Sequence, residues 1–432
     1  MKKIASYALG CKVNQYESEA IAELFAEKGY EVVSVDDEAD VYIINTCTVT
    51  NFGDKKSRQL IRKVKRQNEN AIVAVVGCYA QTAPEELAAV HGVNLVIGTK
   101  DKSKIVELVE DYQAEQGVQN YVTDIMHERV FEPLEIKKLA NRTRAYLKIQ
   151  DGCSQFCSYC IIPYARGPIR SRQPEDVIAE VKRLAENGFK EVVLTGIHVA
   201  SYGKDLKAIT LTDIIRQVHE VEGIERIRFS SIEPNVVTEE FAAAMAELPK
   251  VCDHFHLSLQ SGCDKTLKEM NRKYDTEKYR QAAALLRKYL PDVAITTDII
   301  VGFPGETEED YQASRAFAEE IGFSKIHVFP YSPKKGTPAA ARKDQLQNAV
   351  KQARSHDLIT VSDRMTDAFL QKHVGKVMPV LFERCIGDDV YEGHTTNYMK
   401  VHARSTKDLS NVIAETKIIS VAEEMAFGEV EA

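Results

Sequence analysis

No run of apolar residues in this sequence approaches the roughly 18 that a membrane-spanning helix needs. Positive charge is not in excess either, and the formal net charge is −8. Internal repeats and low-complexity tracts are missing. These absences exclude a helical membrane protein, a disordered or collagen-like chain, and a protein that coats nucleic acid by bulk charge. They leave room for a local basic site. What is present is an ordinary globular composition, 44% apolar over 432 residues. That length suggests about three domains.

Nine cysteines, an odd number, are spread irregularly along the chain. The pattern reads as an intracellular, cytoplasmic protein whose thiols bind metal or do chemistry rather than form disulfides. The start imitates a lipoprotein leader, with Met1-Lys2-Lys3 and then a short apolar stretch before Cys11. That stretch is at the lower limit of length and is interrupted by Ser6 and Tyr7, so no membrane anchor is expected.

Residues 1 to about 100 alternate short apolar runs (4–9, 32–35, 41–44, 72–76, 95–97) with amphipathic segments near 15–29, 51–67 and 83–91. The alternation predicts a parallel sheet with helices on its faces. A polar, acidic connection follows. Further apolar runs begin near Tyr146, Val192, Ile227, Phe255, Ile295 and Ile326, each followed by a helix-like segment. Six βα units of this length predict a barrel or partial barrel, with chemistry at the C-terminal ends of its strands. Residues 339–371 read as helix. The tail has short strands at 377–382, 398–402 and 417–421 and reads as a small all-β barrel. The fold class is therefore α/β: an N-terminal domain 1–104, a linker 105–138, a core 139–370 and a β module 371–432.

The first chemical constellation is Asp151-Gly-Cys-Ser-Gln-Phe-Cys-Ser-Tyr-Cys160, just past the first core strand. Cys153, Cys157 and Cys160 can surround one metal centre. Closed tetrahedral zinc takes four ligands, and His198 is a candidate for the fourth. Three thiolates suit a 4Fe–4S cluster with one iron left open.

This motif, at the end of the first strand of six βα units, resembles the radical S-adenosylmethionine enzymes. The resemblance implies that the open iron chelates S-adenosylmethionine and that an electron from the cluster cleaves a C–S bond. Further matches follow in order. Tyr159 corresponds to the aromatic beside the adenine, and Thr195-Gly196 to the turn near the methionine end. Ser230 and Glu233, in Ser230-Ser-Ile-Glu-Pro234, correspond to the polar groups at the ribose. Gly302, in Thr297-Asp-Ile-Ile-Val-Gly-Phe-Pro-Gly-Glu306, belongs to the fifth-strand motif by the adenine. Taken singly, each reads better as an ordinary strand-end turn; in order behind the cysteine loop, they support the cofactor reading.

A second constellation is Cys11, Cys47 and Cys78, each at the end of an apolar run in the N-terminal domain. Parallel strands bring all three to one sheet edge, the usual ligand crevice. Unrelated buried cysteines are the plain alternative. A three-cysteine α/β domain, a radical core and a small β module together resemble the methylthiotransferases over nearly the whole chain. The resemblance implies a second 4Fe–4S cluster on Cys11, Cys47 and Cys78 that carries the sulfur. It also implies a TRAM-type tail that helps hold the substrate. Cys252, Cys263 and Cys385 match no ligand position.

Leu9-Gly-Cys-Lys-Val-Asn-Gln-Tyr16 and Gly393-His-Thr-Thr-Asn-Tyr-Met-Lys-Val401 resemble the branch acting on threonylcarbamoyladenosine at tRNA position 37. The other branches act on isopentenyladenosine 37 or on a ribosomal-protein aspartate. The expected reaction replaces the unactivated C2–H of that adenosine with a methylthio group. Acid–base catalysis cannot remove such a hydrogen, so a radical cofactor is needed. An electron donor such as flavodoxin or ferredoxin and a sulfur source are implied as partners. For RNA, residues 54–66 carry seven basic residues against one acidic, including Lys55, Arg58 and Arg62. This stripe is either a phosphate-binding face or a solvated helix face. Arg166, Arg170 and Arg172, just past the cysteine loop, are candidates for the anticodon stem. Asn397 and Tyr398 are candidates for reading base faces. The alternative from another class is a non-catalytic iron–sulfur or zinc RNA-binding protein.

Overall fold

The computed structural model describes residues 1–136 and 143–431. Short β-branched runs followed by amphipathic helices close the first layer on a parallel sheet. Its strands are β1 (Lys3–Ala8), β2 (Glu31–Val32), β3 (Val41–Thr46), β4 (Ile72–Gly77), β5 (Leu95–Val96) and β6 (Gln119–Asn120). They lie in the order β2-β1-β3-β4-β5-β6. Side chains alternate between the two faces. Helix α1 (Lys12–Glu27) packs Ile21 and Phe25 on Ile4, Val41 and Ile43. Helix α2 (Asn51–Gln67) packs Ile61 and Val64 on Tyr42 and Ile44, on the other face.

The sheet extends further than the sequence suggests. The helix Ile105–Glu110 buries Ile105, Val106 and Val109 in the same core, and β6 pairs with β5. The first part of the expected linker 105–138 is therefore an added layer of the N-terminal sheet. Its acidic composition hides one narrow apolar stripe. The boundary expected at 138/139 lies outside the described residues.

All six apolar runs of the core become strands. They are β7 (Arg144–Asp151), then β9 (Glu191–Gly196), β10 (Arg226–Phe229), β11 (His254–His256), β12 (Ala294–Val301) and β13 (Lys325–Pro330), with a short β8 (Arg170–Ser171) antiparallel to β7. Parallel ladders join β7-β9-β10 and β11-β12-β13. Bridges Ile227–Val251 and Ile232–Leu257 link the two sets into an arc. No ladder among the described residues returns from β13 to β7, so the arc is a partial barrel. Its outer helices include Leu211–His219 and Glu308–Ile321, both opened by capping boxes at Thr210 and Thr307.

The helix Asn348–Gln371 packs on β13 and leads to a closed five-stranded barrel. Its strands are β14 (Val377–Gly387), β15 (Val390–Thr395), β16 (Lys400–Arg404), β17 (Val412–Ala422) and β18 (Met425–Val430). β15 and β18 escape a sequence reading because each contains a glycine, which signals a turn. Here Gly393 and Gly428 allow close strand approach: a Cβ would lie 2.4 Å from the Leu381 carbonyl oxygen and 2.5 Å from Thr416 Cγ2. Among the described residues no helix is long and apolar enough to cross a membrane.

Candidate active site

Where β7 ends, Gly152 takes φ +73°, and a Cβ there would lie 1.9 Å from the Pro168 carbonyl oxygen. Only glycine lets the chain leave the strand so close to that segment. The loop that follows is pinned along its length. Cys153 N–H donates to Gly167 O (3.0 Å), Ser158 N–H to Met270 O (3.0 Å) and Ala339 N–H to Ser158 O (2.8 Å). Cys153, Cys157 and Cys160 thus share one rigid turn at the C-terminal end of β7. Burial pushes Cys153 up to about 11 and Cys160 up to about 12.

Arg272 was not singled out by its sequence, yet its guanidinium donates to Cys157 Sγ at 3.3 Å and pairs with Glu233 at 3.0 Å. Glu233 also accepts from Gln155 (3.3 Å) and faces His198 Nε2 (3.2 Å). The His198 ring is thereby engaged with Glu233 and with Ser201 Oγ (2.6 Å), away from the cysteines. Of the other expected residues, Tyr159 packs against the cluster of Met270, Phe303 and Tyr331. Thr195 is buried, and Gly196 lies against Gln150, which spans from β7 to the His198 amide. Ser230 faces a chamber described below. Gly302 is closed off: its amide donates to Glu306 (2.6 Å), and Lys351 fills the space where a Cβ would go. Its glycine is needed for packing against Lys351.

Cys11, Cys47 and Cys78 follow β1, β3 and β4, which are neighbours in the sheet. The turns touch: a Cβ on Gly10 would lie 2.7 Å from Cys47 Sγ. Cys11 is exposed, Cys47 half-buried and Cys78 buried. Arg166, fully buried, donates to Cys78 Sγ at 3.2 Å, to Asn14 Oδ1 at 2.6 Å and to Glu17 at 2.6 Å. Each cysteine trio therefore has one buried guanidinium aimed at one sulfur. That arrangement suits a negatively charged cluster. Among the described residues no three His, Cys, Asp or Glu side chains converge as they would on a single ion. A cubane does not require such convergence, because each thiolate takes a different iron. Both trios fit that group.

The arginines after the first loop are not RNA contacts. Arg166, Arg170 and Arg172 are 0%, 3% and 2% exposed. Arg172 pairs with Glu180 and Arg170 with Asp151. Together with Lys102 and Lys148, Arg166 encloses Glu17 between the N-terminal sheet and the core. Arginine-rich runs resemble surface patches in sequence; here carboxylates from both domains draw them inward. Asn397 is also buried, held by Thr395 and His373. Tyr398 stacks on His254 (4.8 Å) and His394 (4.9 Å) and remains 37% exposed. On α2, Lys55 and Arg62 are exposed, while Arg58 is held by Glu86.

A chamber of about 660 Å³ lies between the inner face of the arc and the C-terminal barrel. Its walls include Lys12, Arg144, Arg228, Ser230, His254 and Tyr398. Sequence reasoning missed Lys12, Arg144, Arg228 and His254. A signal existed: Arg144, Lys148, Arg226 and Arg228 alternate with apolar residues in strands whose two faces are both covered, where a charge needs a partner.

A six-strand βα arc with a three-cysteine turn at the end of its first strand defines the radical S-adenosylmethionine class, and the pattern of the Radical SAM superfamily matches residues 147–318. The pattern described as Uncharacterized protein family UPF0004 matches residues 3–98. A threonylcarbamoyladenosine tRNA methylthiotransferase, MtaB, of Bacillus subtilis is 45% identical over 424 residues, covering 97% of this chain and 94% of the relative. A tRNA-2-methylthio-N(6)-dimethylallyladenosine synthase of Thermoanaerobacter sp. is 38% identical, covering 95% and 88%. The fold is similar to that of the radical S-adenosylmethionine methyltransferase TsrM from Kitasatospora setae, with TM-score 0.57, 17% identity and coverage of 79% and 77%. The chain belongs to the tRNA methylthiotransferase family of radical S-adenosylmethionine enzymes, and it is a transferase.

Proposed function

We propose that this enzyme replaces the C2–H of N6-threonylcarbamoyladenosine 37 in tRNA with a methylthio group. Cys153, Cys157 and Cys160 would hold one 4Fe–4S cluster with S-adenosylmethionine, and Cys11, Cys47 and Cys78 a second. When bound, these groups supply the radical that removes an unactivated C–H and the sulfur and methyl that replace it. The chain's own residues do the rest. Arg272 and Arg166 each donate to one cysteine sulfur of a trio and would offset the negative charge of a cluster held there. Gly152 and Gln150 fix the first turn against β8 and β9.

The observation that carries this reading is the chamber. Lys12, one residue from Cys11, and Ser230, at the strand end that leads to Glu233, line the same space. A splayed-out anticodon-loop base could enter it. The exposed cations of α2, Lys55 and Arg62, lie beyond Cys47 and suit the RNA backbone. The enzyme would work in the cytoplasm with an electron donor such as flavodoxin or ferredoxin and a source of replacement sulfur.

The test is nucleoside mass spectrometry after anaerobic reconstitution, with threonylcarbamoylated and dimethylallylated tRNA side by side. Methylthiolation of the threonylcarbamoyl nucleoside alone is expected. Modification of the dimethylallyl nucleoside alone moves the chain to that branch. If neither changes while S-adenosylmethionine is cleaved, the substrate is wrong.

A further inference from the structure

Five cations, Lys12, Arg144, Arg228, Lys325 and Lys400, and two carboxylates, Asp298 and Glu424, line the chamber. Arg144 pairs with Glu191 and Glu383, Arg228 with Glu191 at 2.9 Å, and Arg226 stands 4.0 Å from the same Glu191. Lys12 projects into the same space, where its ammonium sits 5.8 Å from the centre of the Tyr146 ring. Among the described residues Lys12 has no carboxylate within ion-pair distance. Of the other lining cations, Lys325 is taken by Glu424, and Lys400 stands 3.4 Å from Glu392. Asp298 faces His256 at 3.3 Å rather than Lys12. Lys12 is exposed to the space of the chamber, beside two guanidiniums, and is free to take an anion.

The position of Lys12 says which anion. It directly follows Cys11 at the start of α1. On an adenine ring, C2 and the N6-bearing carbon flank N1 on one edge. A base that turns C2 toward Cys11 therefore carries its N6 substituent into the same chamber. A threonylcarbamoyl substituent ends in a free carboxylate, whereas a dimethylallyl group has no charge. The backbone phosphates of a splayed nucleotide stay at the mouth of a pocket rather than inside it. We propose that Lys12, backed by Arg144 and Arg228, receives the carboxylate of the N6 substituent and so selects the charged nucleoside over an uncharged one. The proposal rests on the substrate reading given above and adds the residues that read the substituent.

The experiment uses the reconstituted full chain and anticodon stem-loops carrying threonylcarbamoyladenosine or its methyl ester. Affinity is measured by fluorescence anisotropy and methylthiolation by mass spectrometry. A charge-assisted contact of this kind is expected to favour the free acid by about 10- to 100-fold in Kd and kcat/KM. Lys12→Met is expected to lose that preference and to bind the ester about as wild type does. Lys12→Arg is expected to restore most of it. Equal weakening of acid and ester by Lys12→Met overturns the proposal and points to a phosphate contact. So does a wild-type enzyme that treats acid and ester alike, a comparison that needs no variant. If wild type modifies only dimethylallyl RNA, the substrate reading itself fails, and the inference with it.

Discussion

At the scale of single residues, the two buried guanidiniums matter most. Arg166 touches a cysteine of the N-terminal sheet, yet it comes from the core, and it has no exposed surface. Replacing it with methionine leaves Lys102 and Lys148 facing Glu17 without the hydrogen bonds that now complete the cage. Breaking a buried pair typically costs about 3–5 kcal/mol. Arg166→Met is therefore expected to release the N-terminal layer at lower urea than wild type, read by separate probes of the two domains. No sequence rule identifies such a residue, because a buried arginine and a surface arginine look alike until their partners are known. The cysteines were legible for the opposite reason: their spacing in a short loop, or at strand ends, is itself geometry.

At the scale of elements, the strands of the arc were readable and their charged members were not. β10 carries Arg226 and Arg228, which donate to the carbonyls of His394, Pro379, Thr395 and Thr396 in the C-terminal barrel. Glu191 on β9 is the carboxylate that permits these arginines to be buried. Burial raises its carboxyl, but Arg228, Arg144 and Arg226 outweigh that and hold it at about 2, from an ordinary 4.5. A depressed carboxyl contributes stability that is complete above pH 4.5 and is lost as pH falls through the folded value. The shift corresponds to roughly 3 kcal/mol. Loosening of the C-terminal barrel from the core is thus expected between about pH 4.5 and pH 2. Glu191→Gln is expected to loosen it already at pH 7, as seen by hydrogen exchange in β14 and β15. A variant with unchanged exchange contradicts this account of the seam.

At the scale of the whole molecule, three domains were visible in the order of apolar runs, but their seams were not. The N-terminal layer takes in residues up to β6, and it docks on the core through Tyr16 and Ala20 of α1, which join the core's apolar cluster, and through the charged groups around Glu17. The only basic surface foreseen that stays outside is α2. Its Lys55 and Arg62 have no carboxylate within ion-pair distance among the described residues, and exposed Phe52 lies beneath Lys56. Lys55→Glu with Arg62→Glu is expected to weaken tRNA binding across tRNA sequences and to reduce the salt slope of log Kd by about 2. A slope equal to wild type assigns α2 to solvent.

The three sulfurs of the N-terminal sheet grade from open to sealed, with Cys11 at the surface and Cys78 beneath Arg166. Cys11, with half-buried Cys47 beside it, is therefore the accessible side of that edge. On the proposed function, a sulfur source and the nucleic acid share that approach, so delivery and modification take turns. Bound tRNA is accordingly expected to slow removal of iron from this site by a chelator, and equal rates with and without tRNA would show a second entrance.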